Sequence, residues 1–165
     1  MEVFETPVHT YILTCYIPSE HRTYIPSAVS LVEHECDHAT NVLRVKYSLP
    51  KDGAKENYAI SIKCIDYPYQ DFSFYLIEYI ELAKFMGVHK RFIYKYDVHP
   101  NMSKVLRYSE NQNQVKVIPM TIPGTRSNIH GIIYEIVKTD TIEKLMYERI
   151  PHNDCFYNNI YKNNY

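Results

Sequence analysis

The sequence predicts an α/β fold: a small β-rich N-terminal region followed by a strand-helix-strand-helix-strand run that opens a parallel sheet. Three observations carry this. Short β-rich apolar runs recur at Tyr58 to Cys64, Arg91 to Tyr96 and Val115 to Met120. Helix-period patterns separate them. The composition also changes near residue 50, at the turn signal Pro50-Lys51-Asp52-Gly53. The boundary places residues 1–56 in the N-terminal region and 57–165 in the α/β domain.

Before the turn, strand-like pieces run over Tyr11 to Tyr16, Ala28 to Val32 and Val42 to Leu49, divided by Pro18, Pro26 and a polar His34 to Thr40 stretch. After it, Tyr58 to Cys64 reads as a strand buried on both faces, and Pro68 ends it. Asp71 or Ser73 caps the next helix. Phe72, Leu76, Tyr79, Ile80, Ala83 and Met86 share one face, with Glu78, Glu81 and Lys84 as the polar stripe. Gly87 supplies the left-handed stop. The second strand is Arg91 to Tyr96. Pro100 sits in the first turn of a helix reaching about Glu110, with Val105, Leu106 and Tyr108 as apolar contacts. Val115 to Met120 is the third strand, ended at Pro119. Ile122 to Ile129 is loop. Ile132 to Val137 and Glu143 to Tyr147 are helical, and Pro151 begins a last helix to about Lys162, after which no further strand is expected. Strands at this spacing form right-handed crossovers and bind ligands at their carboxyl ends. With helices on one side only, the sheet would leave an apolar face uncovered and the fold marginally stable.

Composition narrows the function. The chain has 165 residues, 45% hydrophobic and 22% charged, as in globular proteins. A net charge of −1 gives no basic excess for a nucleic-acid backbone. No apolar run spans a membrane, and no targeting segment is visible. Tyrosine is abundant, 17 against six Phe and no Trp, for packing or for stacking on a sugar or base. The cysteines Cys15, Cys36, Cys64 and Cys155 contain no CxxC, so zinc is not expected. Cys15 and Cys36 are the pair most easily bridged, with four buried free thiols as the equal alternative. Asn101-Met102-Ser103 is a glycosylation sequon.

Several stretches, in order, resemble glycosyltransferase family 92, particularly its insect members. They are AVSLV (Ala28 to Val32), CDHATN (Cys36 to Asn41), LRV (Leu43 to Val45) and IKCIDYPYQD (Ile62 to Asp71). LIEYIELAKFMGV (Leu76 to Val88), FIYKYDVHPNMSKVLRY (Phe92 to Tyr108), VKVIPMTIPG (Val115 to Gly124) and PHNDCFYNN (Pro151 to Asn159) follow. The resemblance implies a partial GT-A (Rossmann-like) three-layer domain and transfer of a hexose, galactose in the best-known case, from a UDP-sugar to a glycan acceptor. It also implies manganese dependence and a Golgi membrane location, with any membrane segment outside this chain. Two departures stand out. No Asp-x-Asp metal motif is present, so no metal site is expected in this chain, which reads as the front of the domain and alone inactive. Asn158 stands where the family usually has arginine. A non-catalytic nucleotide-sugar-binding module is the alternative.

Candidate residues gather at strand ends. Cys64, Asp66 and Tyr67 lie where the first strand opens into a loop. Asp66 accepts from base or ribose, or serves the turn. Tyr96 and Asp97 end the second strand. By resemblance Asp97 reads the ribose; otherwise it is a helix-start carboxylate. Asn153 and Asp154 match the family's NDC motif and either face the donor or hold the last helix to the sheet. Cys155 is core. His99, His130 and His152 are ordinary polar positions, and Arg126 is a loop arginine able to meet a phosphate.

Overall fold

In the computed structural model, residues 11–46, 56–121, 131–139, 141–160 and 163–164 are described. They fall into two compact units, residues 11–46 and the residues from 56 onward.

In the first unit, a 3-10 turn spans Ser19–His21, and β1 (Ala28–Val29) pairs antiparallel with β2 (Leu43–Arg44). Asn41 extends this short ladder: its side-chain amide donates to the Leu31 carbonyl at 2.7 Å and its oxygen accepts from the Leu31 N–H at 2.9 Å. The strand expected at Tyr11 to Tyr16 is irregular, because no neighbouring backbone pairs with it. Cys36 has φ 67° inside the His34–Asp37 turn, which the Asp37 carboxylate closes on the His34 N–H at 2.9 Å. Of the two readings left open, Cys15 and Cys36 are free thiols and not a bridged pair, though exposed where that reading had them buried.

The second unit is a parallel sheet of β3 (Glu56–Tyr67), β4 (Lys90–Val98), β5 (Val115–Pro119) and β6 (Asn163–Asn164), in the order β5-β4-β3-β6. Helix α1 (Ser73–Phe85) joins β3 to β4, and α2 (Pro100–Asn111) joins β4 to β5. Both cover one face, around Leu76, Ile80, Ile93, Val98, Met102, Leu106 and Val115. Two apolar positions expected in this core are exposed: Met86 follows the last helical turn, and Tyr108 is displaced by the Met102, Leu106 and Ser109 face. Gly87 ends α1 at φ 81°, with the Val88 N–H reaching back to the Ala83 carbonyl at 3.0 Å.

Asp71 organises the start of both helices. One carboxylate oxygen accepts from the Ser73 N–H at 3.0 Å, the other from the Asn101 amide at 2.7 Å, and His99 lies 3.7 Å away. The bonds from Asn101 and Ser73 hold its carboxyl at about 2, below the ordinary 3.8.

The opposite face corrects the expectation of a single helix layer. Helices α3 (Ile132–Thr139) and α4 (Thr141–Asn159) cover it. Ala59, Phe92, Tyr94 and Cys155 form one cluster there, and Ile133, Tyr147 and Tyr96 another. The sheet is therefore sandwiched, and its second face is not the exposed surface foreseen. Pro151 does not begin a helix but lies inside α4. A mid-helix proline gives up one backbone bond. Tyr147, Pro151 and Cys155 are all buried at four-residue steps, so packing carries the helix through it. The Tyr94 hydroxyl donates to Asp154 at 2.7 Å and pins α4 to the sheet. Burial first, then that carboxylate, raises the Tyr94 pKa. Against expectation, a further strand is present: β6 pairs parallel with β3, Asn163 opposite Glu56 and Asn164 opposite Tyr58.

Two outcomes follow. Tyr94→Phe removes the pin and destabilises the fold by about 1–2 kcal/mol, a loss measurable by urea denaturation. Because the Asp71 pKa is depressed, its stabilisation is complete above the ordinary 3.8 and is lost as the pH falls through about 2. Asp71→Asn flattens the stability profile across that interval, as followed by thermal melts at stepped pH.

Candidate functional site at the carboxyl end of the first sheet strand

The strand order places β4 on one side of β3 and β6 on the other. Chain direction across the sheet reverses there, and ligands of open α/β sheets enter at such a switch point, beyond the carboxyl ends of the strands. A cleft of about 220 Å³ lies at this place, lined by Lys63, Cys64, Asp66, Tyr67, Tyr134, Lys138, Lys144 and Glu148.

A register irregularity builds the β3 wall. Ile62 pairs with Ile93 and Ile65 with Lys95, so β3 carries one extra residue between them. Ile62 and Ile65 both pack into the α1 and α2 core. Lys63 and Cys64 are left together on the other face: Lys63 bonds Glu148 of α4 at 2.8 Å, and Cys64 packs with Tyr94 and Cys155. Strict alternation would have sent one of them into the apolar core.

The opposite wall is α3 and α4. Gly131 enters α3 at φ 80°, and the Tyr69 hydroxyl occupies the space a β-carbon would need. Tyr69 stacks edge-on against Tyr134 at 5.6 Å, which sets that ring over the cleft. The Lys138 ammonium lies 5.6 Å from the Tyr134 ring centre. Three ammonium groups thus share the cleft with two carboxylates, and the Glu148 carboxylate is taken by Lys63.

Cys64 is a wall, not a nucleophile. Burial, opposed by a hydrogen bond with Tyr96 and assisted by the Asp66 and Glu148 charges, pushes its thiol up to about 12. Burial also raises the Tyr96 phenol, with Cys64 beside it. Both groups stay protonated at neutral pH. The Asp66 carboxylate oxygens are shielded from solvent.

The structure therefore brings Cys64, Asp66 and Tyr67 together, with Tyr96 behind Cys64. Asp97 is half-buried at the end of β4 and does not line the cleft. Asn153 donates to the Arg149 carbonyl at 3.0 Å, and Asp154 is held by Tyr94. Both lie about 8–9 Å along α4 from Glu148, given the helical rise per residue. Asp154 thus does the holding task of the two foreseen for the NDC motif. Asn158 bonds back to Asp154 at 2.8 Å. Asn101 of the sequon is exposed, in the first turn of α2, with its amide nitrogen on Asp71. His99 caps α2, His152 is exposed on α4, and Arg126 and His130 lie outside the described residues.

Sequence reasoning missed Lys63, Tyr134, Lys138, Lys144 and Glu148. Their one sequence signal is the four-residue step from Lys144 to Glu148, which sets both on one side of α4. A manganese-type ion needs about six oxygen donors. Among the described residues, no group of three His, Cys, Asp or Glu could hold one. These residues do not fit such an ion, and positive charge in the cleft comes from ammonium groups.

A parallel sheet sandwiched by helices, with a cationic cleft at its switch point, defines a Rossmann-like domain of the partial GT-A type. The family profile of glycosyltransferase family 92 matches residues 56–165, and the chain belongs to that family. It is accordingly a transferase, with a donor and an acceptor as substrates. Neither the curated proteins nor the solved structures contain a match.

The thiols report the geometry. In the native protein Cys15 and Cys36 react with Ellman's reagent within minutes, while Cys64 and Cys155 react only after unfolding in guanidinium. Fast release from more than these two positions would contradict the protected Cys64.

Proposed function

We propose that the cleft binds the diphosphate of a UDP-sugar and serves transfer of a hexose, in our reading galactose, to a glycan acceptor. One observation carries the reading: Lys63, Lys138 and Lys144 converge beside Asp66 at the end of β3. A diphosphate is the donor's most charged part, and ammonium donors give it short, charge-assisted hydrogen bonds. The same cations oppose the charge that grows as the diphosphate leaves. The rings of Tyr67 and Tyr134 offer flat surfaces for stacking on a base or sugar. Glu148 competes with the donor for Lys63 and so tunes affinity.

Golgi membrane residence belongs to the same proposal and rests on the family resemblance. No helix among the described residues is long and apolar enough to cross a membrane.

Calorimetric titration with UDP tests the cleft. Lys138→Ala and Lys144→Ala each weaken binding about tenfold, equivalent to about 1.4 kcal/mol. Glu148→Gln strengthens it, and uridine without phosphates binds far more weakly than UDP. Unchanged UDP affinity in Lys144→Ala would overturn the assignment. Sugar transfer from UDP-galactose to a glycan by this chain would overturn the expectation that it is inactive alone; UDP binding without transfer agrees with it.

A further inference from the structure

Helix α1 carries apolar side chains around its whole circumference. Leu76, Ile80 and Ala83 are buried toward the sheet. The solvent side shows Phe74, Tyr75, Leu82 and Phe85, with Met86 just beyond the last turn. Phe74 is 82% exposed and Phe85 89%. The neighbouring helix on the same sheet face differs. The solvent side of α2 shows Asn101, Lys104, Arg107, Glu110 and Asn111, and Tyr108 is its one exposed large apolar residue. A surface helix has a polar outer side, as α2 does, whereas a helix that is apolar all round is one that becomes covered.

The size and shape of the α1 patch fit a polypeptide. A buried aromatic side chain covers about 150–250 Å², so Phe74, Tyr75 and Phe85 alone offer roughly 450 Å². That is over half of the about 800 Å² that each partner gives to a standard interface. Tyr75 also lines a trough of about 500 Å³ with Ile65, Phe72, Tyr79 and Met102. Such a recess receives a large apolar side chain, and the dominant residues of interfaces sit in recesses of this kind. An amphipathic helix docks in this way, with its apolar face laid into a hydrophobic groove.

Charge selects the partner. Glu78 lies one helical turn from Phe74, Tyr75 and Leu82, so apolar side chains surround it. Its carboxylate makes no hydrogen bond or ion pair among the described residues. Glu81 stands at the edge of the patch, 3.9 Å from the Lys84 ammonium. Lys84 itself is turned about 120° from Glu78 around the helix. Two copies pairing through this face would each bury an uncompensated Glu78, and an anionic lipid surface would repel it. We infer that the outer face of α1 docks a basic amphipathic helix of a partner polypeptide, with a lysine or arginine on Glu78 and an apolar side chain in the trough beside Tyr75. The face is on the opposite side of the sheet from the diphosphate cleft, so docking is independent of donor binding.

Fluorescence anisotropy on the full chain tests this with two synthetic helices of about 18 residues, long enough to be helical alone. Both carry leucine at three- and four-residue steps; one has lysine at its other positions and the second has glutamate. The lysine helix is expected to bind about tenfold tighter. Phe85→Ser and Leu82→Ser, both at solvent-facing positions, each weaken its binding about tenfold while circular dichroism shows the fold retained. Glu78→Gln narrows the preference for the lysine helix about threefold. Equal binding of the two helices, no binding of the lysine helix, or binding indifferent to both serine variants would each overturn the inference. So would a dimer in sedimentation that Phe85→Ser dissociates, which would give the face to a second copy. Adsorption to vesicles of phosphatidylcholine and phosphatidylserine that Phe85→Ser abolishes would give it to a membrane and overturn the inference equally.

Discussion

The register slip in β3 between Ile62 and Ile65 is the constraint on which the rest turns. A strand buried on both faces must send alternate side chains to opposite cores. One extra residue changes that phase midway. Ile60 and Ile62 precede the slip and Ile65 follows it, and the α1 and α2 core keeps Ile62 and Ile65 on both sides of the interruption. Lys63 and Cys64 then stand together on the α4 face, with Asp66 at the strand end among the cleft residues. Without the slip, alternation from Ile62 would keep Lys63 on the α4 face but turn Cys64 into the α1 and α2 core.

Polar contacts fix the layers at a few points. Asp71 ties the entries of α1 and α2 to each other. On the other face, Tyr94 holds Asp154 and Lys63 holds Glu148, two bonds from sheet to α4 that bracket buried Pro151. The cleft side chains of α3 and α4 are oriented against this frame, while Gly131 and Tyr69 set the start of α3. Apolar burial stabilises the sandwich, and these bonds choose its register.

Much of the sheet and its first two helices could be read from the chain. The apolar runs at Tyr58, Arg91 and Val115 stand where β3, β4 and β5 occur, because strands buried on both faces need continuous β-rich apolar sequence. The glycine at 87 and the proline at 100 mark a helix end and a helix start for local reasons that no partner alters. The second helical layer was harder to see. Pro151 signals a helix start by local rules, and only the buried series Tyr147, Pro151 and Cys155 shows that packing overrides them. Of the candidate site residues, Cys64, Asp66 and Tyr67 were within reach because a strand end is a local feature.

The sequence by itself determined the strand-helix alternation, its direction, and the family to which residues 56–165 belong. Those properties follow from periodicity, from turn residues and from ordered motifs, each contained in a short stretch of chain. Tertiary structure alone decided which charges meet. Lys63 and Glu148 are 85 positions apart, and Tyr94 and Asp154 are 60 apart. Their pairing depends on a helix crossing the sheet, which leaves no periodic trace in the residues that it brings together.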